Sequence, residues 1–267
     1  MKIYLLKLKY FSIAVTVLGM FAGTNVIAAV ANTPHNLGTS AGGGPNTFSA
    51  TAEICVFCHT PHGGDTSAAV PLWNRTLAAP ASYTTYNSLG NESTSMDADT
   101  APVGSVSIAC LSCHDGTQAM DTLLNDPGSG AVVASFTAGT WTGADRPQGI
   151  ADLTQDLTND HPIGIQYGGG GITQAAPAGT LNDPDFKDPD NAVLNGTTVW
   201  WVDTEITPNG TREKTDMLLY TRTEASVAGG PQPFVECASC HDPHTEVPTF
   251  LRVVNDGSAV CLACHTK

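Results

Sequence analysis

The sequence predicts a mostly irregular chain wrapped round covalently attached cofactors. Short helices are expected at the attachment points and one β-hairpin near residues 197–223. Three observations predict this. Four C-x-x-C-H motifs, Cys55–His59, Cys110–His114, Cys237–His241 and Cys261–His265, use all eight cysteines of the chain. Gly, Pro, Ser, Thr, Asn and Asp are abundant, and long stretches of helical or strand period are scarce. Two segments rich in β-branched and aromatic residues, 197–207 and 212–223, flank the turn signal Pro208-Asn209-Gly210.

C-x-x-C-H is the attachment site of c-type haem. Two thiols, here Cys55 and Cys58, Cys110 and Cys113, Cys237 and Cys240, or Cys261 and Cys264, add across the two vinyl groups of one porphyrin. The histidine that follows each pair, His59, His114, His241 or His265, then lies under the iron as its proximal ligand. A disulfide framework or paired C-x-x-C zinc sites would also use eight cysteines. Neither requires a histidine directly after every second cysteine.

Eight histidines are present. Four are proximal, and four remain, His35, His62, His161 and His244, one for each iron. The count predicts bis-histidine ligation at four haems. Methionine is the competing ligand and would raise the potential. Met96, Met120 and Met217 are the candidates, and none sits in a telling local context.

Spacing restricts the pairing. His62 follows His59 by three residues, so their Cα atoms are at most about 10–11 Å apart. Two histidines on opposite faces of one iron need roughly 12–13 Å, given metal–nitrogen bonds of about 2 Å. His62 is therefore expected to reach a neighbouring iron. The same holds for His244 beside His241. The proline between each pair biases its predecessor to an extended form and throws the second ring away from the first.

Residues 1–31 read as a secretory signal peptide. Lys2, Lys7 and Lys9 form a basic start, Tyr10 to Ala22 an apolar run too short for a full span, and Ala29-Val30-Ala31 a cleavage signal. Residues 32–267 read as a single tetrahaem domain. Taking the three lysines from 11 basic residues leaves eight against 25 acidic ones, a net of −17. Nucleic acid is an unsuitable partner for such a chain. About 59 residues per haem motif cannot build a large core from side chains alone, so the haems are expected to serve as the core.

His35 lies on an N-terminal arm before the run Gly42-Gly43-Gly44-Pro45. Thr51 is expected to cap a short helix at the first motif. Residues 63–104 read as loops with room for one hairpin, their aromatics Trp73, Tyr83 and Tyr86 packing on haem faces or on another subunit. Ser107–His114 reads as a short helix and 131–136 as a possible strand. His161 precedes a proline, which suits a ligand entering from a loop. Residues 182–191 form an acidic turn, a solvated loop or a calcium site of incomplete spacing. Trp200 and Trp201 are expected on opposite faces, one in the core and one at a contact.

The chain resembles multihaem cytochromes of the doubled C-x-x-C-H kind, grouped with the cytochrome c3 family. It is most similar to the OmcE-type tetrahaem cytochromes that polymerise into extracellular nanowires. The resemblance rests on Pro34–Leu37, Cys55–His62, Pro71-Leu72-Trp73-Asn74-Arg75, Ala109–Thr117, Asp160–Gly164, Cys237–His244 and Cys261–His265. It implies a multihaem cytochrome fold and four covalent haem c groups, all six-coordinate. It also implies one distal histidine supplied by the adjacent subunit, for which His35 is the first candidate.

The resulting expectation is an electron carrier, exported and extracellular or at the cell surface, a subunit of a conductive head-to-tail filament. Its partners would be other copies of itself, redox cytochromes or extracellular acceptors. A monomeric periplasmic shuttle is the alternative. A haem-based reductase fits less well, since no motif is altered and no distal ligand is missing.

Overall fold

A computed structural model describes residues 29–38, 51–86, 98–128, 147, 149–225 and 227–267. Most of the predicted signal peptide, the possible strand at 131–136 and Met96 lie outside the described residues.

Regular structure is short and concentrated in the second half. Among the described residues three α-helices occur, α1 at Ser107–His114, α2 at Cys237–Cys240 and α3 at Ala259–Cys264. Each carries one C-x-x-C-H motif or its cysteines. The first motif instead forms a single 3-10 turn, Cys55–Phe57. Thr51 does not cap it: its hydroxyl accepts the Glu53 N–H at 3.0 Å, and the turn has no side-chain cap. α1 spans the residues that the sequence predicts. Ile108, Ala109 and Leu111 bury one of its sides, and the Asp115 N–H closes on the Leu111 carbonyl.

Five strands form one antiparallel sheet in the order β1-β5-β4-β3-β2. They are β1 Ile165–Gln166, β2 Asp190–Leu194, β3 Thr197–Val202, β4 Met217–Arg222 and β5 Gln232–Val235. The predicted hairpin is β3–β4, with Trp200 opposite Leu219. Its strands are shorter than expected because two buried carboxylates capture the intervening backbone. Asp203 accepts the N–H groups of Glu205, Asn209 and Gly210, and Asp216 accepts those of Thr204 and Glu213.

Two further elements were hidden by their chemistry. The end of the acidic turn runs into β2, which pairs with β3 across Asn195-Gly196. Both turn residues have positive φ, 50° and 80°, the type I′ geometry that Asn-Gly favours. Trp200 and Trp201 are both buried, at 1% and 3% exposure, so neither serves as the expected exposed contact.

The cores are small. One cluster joins Trp73, Tyr83, Val103, Leu111 and Leu157. A second joins Tyr167, Ile172, Leu181, Trp200, Met217 and Leu219, with Cys240 and Cys264 packed against it. Leu37, Phe57 and Met120 make a third. Both described methionine candidates are thus core residues, Met120 in the third cluster and Met217 in the second.

Close approach of backbone to backbone also constrains the loop segments around Gly171 and Thr180. A Cβ on Gly171, at φ +91°, would lie 2.0 Å from the Thr180 carbonyl oxygen, whereas one on Gly196, at φ +80°, meets nothing within 4 Å. Gly171→Ala should therefore cost roughly 3 kcal/mol or more, and Gly196→Ala only about 1–2 kcal/mol. Urea midpoints of the two variants measure the difference. Equal midpoints would contradict the close packing at Gly171.

Candidate haem sites

All eight motif cysteines are unpaired thiols, so no disulfide framework is built. Here they stand in for thioether sulfurs. Burial pushes the Cys58 and Cys264 thiols up to about 12, far from the thiolate range in which cysteine is a nucleophile.

The second and third motifs are pinned together by a buried polar network. The Ser107 hydroxyl, first residue of α1, donates to Glu236 Oε2 and accepts the Cys237 N–H at 2.9 Å. Glu236 Oε1 takes Arg222 Nη1 at 2.7 Å, and Arg222 also holds Glu224 and the Pro102 carbonyl. Burial holds the Glu236 carboxyl above its usual range, against the pull of Ser107 and Arg222. The network sets the start of α1 against the start of α2, and Cys110 lies against Cys237.

The strip Trp73-Asn74-Arg75 laces the first motif to the second. Trp73 meets His59 edge-on at 5.7 Å, and its indole N–H donates to Ser112 Oγ at 3.1 Å. The Asn74 N–H donates to the Cys58 carbonyl, and its side chain donates to Val56 and Asn125 carbonyls. Tyr83 anchors the far side by donating to Asp115 at 2.8 Å.

The fourth motif is set by the acidic turn. Lys187 N–H donates to the Cys264 carbonyl, Phe186 packs on His265 at 4.4 Å, and Lys267 pairs with Asp185 at 2.6 Å. This turn thus binds the chain's own C-terminal residues.

Haem fits the histidines by two tests. The first is tautomer. Nδ1–H of His59 donates to the Pro71 carbonyl at 2.8 Å, that of His114 to Ala151 at 2.7 Å, and that of His241 to Thr249 at 2.8 Å. A carbonyl only accepts, so Nδ1 carries the proton and Nε2 is left with a free lone pair for a metal. Among the distal candidates, His161 Nδ1 bonds the Pro162 carbonyl, His244 Nδ1 lies 3.4 Å from Asp242 Oδ1, and His35 bonds the Pro243 carbonyl. Burial lowers His35 to about 4, helped by His114, and lowers His161 and His241 as well. Neutral rings result, the form that coordinates iron.

The second test is distance. An iron between two imidazoles, with bonds of about 2 Å to each and the depth of both rings added, separates their centroids by roughly 6–6.5 Å. His59 and His244 stand 6.4 Å apart with planes 14° apart. His35 and His114 stand 6.1 Å apart with planes 63° apart. His161 and His265 line one cavity of about 310 Å³ together with Tyr167, Gln166, Gly168 and Phe186. His244 thus faces a histidine far from its own neighbour His241, as spacing requires. His35, the candidate for crossing to another subunit, faces His114 of its own chain.

His241 and His62 remain. His62 is exposed, and among the described residues neither faces another histidine at that spacing.

Some positioning residues carry no sequence signal. Phe250 stacks on His35 at 4.1 Å, 11° from parallel. It and Thr249 both have positive φ, 58° and 57°, at about 1–2 kcal/mol each. The Asp242 N–H donates to the Phe250 carbonyl at 2.7 Å and holds this elbow beside the third motif.

Residues 229–267 match the doubled CXXCH motif family. The matched stretch contains the third and fourth motifs with His244 between them. The match supports a multihaem c-type cytochrome with covalently bound haem c, and with it haem-based electron transfer. No curated protein matches the chain.

His244→Ala and His35→Ala should each open one iron, giving one carbon monoxide-binding haem per chain where that ring pair is broken. The variants should differ in EPR. His244→Ala should lose the rhombic low-spin signal of near-parallel rings, and His35→Ala the strongly anisotropic signal of crossed rings. Loss of the same signal from both would overturn the pairing.

Proposed function

We propose that the chain is an electron carrier with four bis-histidine c-type haems, acting outside the cytoplasm as a subunit of a filament. The observation that supports this best is the ring spacing: two histidine pairs are already held at the distance that an iron requires. Bound haem supplies the Fe(III)/Fe(II) couple.

The chain's own residues supply the rest. His59 with His244, His114 with His35, and His265 with His161 would each hold an iron from two sides, which would leave no place for a substrate. This favours a carrier over an enzyme. The thiol contact of Cys110 with Cys237, and the charge interactions of Cys58 with Cys113 and Cys240 with Cys261, put successive attachment points side by side. The three-residue stitch from His241 to His244 ties the third site to the first.

The crossing ligand is His62. Among the described residues it is the distal candidate with no facing histidine, and His241 is the proximal one. His62 of one copy can reach the site of His241 in the next. Such a contact is heterologous and need not close, which makes a filament. The filament is placed outside the cell or at its surface, the periplasm being the alternative.

Pyridine haemochrome analysis should give four haems per chain. Electron microscopy of the secreted protein should show filaments. His62→Ala should yield discrete particles that bind carbon monoxide at one haem per chain. Filaments of His62→Ala with all irons six-coordinate would reject this ligand.

A further inference from the structure

Arg75 is fully buried, at 0% exposure, in a chain with few cations. Its guanidinium makes four hydrogen bonds, all to backbone carbonyls. Nε donates to Ser112 at 3.2 Å, Nη1 to Met120 at 2.7 Å, and Nη2 to Ser112 and Ala119, both at 2.9 Å. It joins none of the ion pairs among the described residues. Arginine stays protonated at any working pH, so a full positive charge is fixed here. Carbonyl dipoles solvate it without cancelling it.

Its place gives that charge an object. Ser112, whose carbonyl takes two of the four bonds, lies between Cys110 and Cys113. Its chain neighbour Asn74 donates its N–H to the Cys58 carbonyl of the first motif at 2.9 Å. The cation is therefore wedged between the attachment points of the first two haems. Structural work alone, tying residues 119–120 to α1, would be open to an uncharged donor. Reduction of an iron adds one electron, lowering the local positive charge by one. A buried cation nearby favours that reduced form, and salt screens it weakly.

We propose that Arg75 is a potential-setting residue, raising the reduction potential of the haem held by Cys55 and Cys58, and of its neighbour on Cys110 and Cys113. This rests on the reading of the motifs as haem sites.

The test is spectroelectrochemistry of the full holoprotein. Arg75→Gln should lower the potential of one or two of the four haems and leave the others in place. The drop should persist at high salt. Arg75→Lys keeps the charge but not the four-bond fork, and should restore most of the potential. Haemochrome content and low-spin spectra report separately on the haem reading, which stands if four six-coordinate haems remain. Should Arg75→Gln fail to mature, Ala119→Asp keeps Arg75 and places a carboxylate on the residue whose carbonyl it bonds. The same haems should then fall in potential. Unchanged potentials in Arg75→Gln, or in Ala119→Asp where that stands in for it, overturn the proposal. So do equal shifts in Arg75→Gln and Arg75→Lys.

Discussion

On the proposed reading an iron held by two imidazoles would fix how far apart those rings stand, and His59 with His244 and His35 with His114 stand at that distance. The rings are long levers on flexible loops, and irregular backbone holds no ring still by itself. Carbonyls solve the problem. Pro71, Ala151 and Thr249 each take one Nδ1–H and so fix ring orientation and proton position together. Each accepting carbonyl lies outside the motif it serves, 12, 37 and 8 residues along the chain from its histidine. The loops are therefore parts of the sites and not mere connections.

Rigidity comes from polar lacing more than from apolar bulk. The hydrophobic clusters are separate and small. Between them run Ser107–Glu236–Arg222, Trp73–Ser112 and Asn74 with its three backbone partners. Each unites segments distant in sequence, and each is buried, where an unpaired polar group is costly. Removal of one member strands the others.

Local chemistry was readable in the sequence and long-range geometry was not. The bounds of α1 followed from residues 107–114 alone, and the sheet's central hairpin from its β-branched and aromatic content. The three-residue separation of His241 and His244 ruled out a shared iron, and the structure sets His244 against His59. Its partner, 185 residues away, could not be deduced, since no local rule links them. The arm bearing His35 looked free because glycines follow it, yet Phe250 and the Pro243 carbonyl seat it at His114. The strand β2 was masked by the acidic residues before it, although Asn195-Gly196 offered a turn signal. The loop between β3 and β4 depended on where two aspartates would be buried, which composition does not reveal.

The elbow at Thr249 and Phe250 serves two masters. One residue's carbonyl orients His241, and the next residue's ring stacks on His35, the partner of His114. Adjacent residues in a contorted backbone thus set the rings of two different histidines, and a backbone shift in this short segment would disturb both at once.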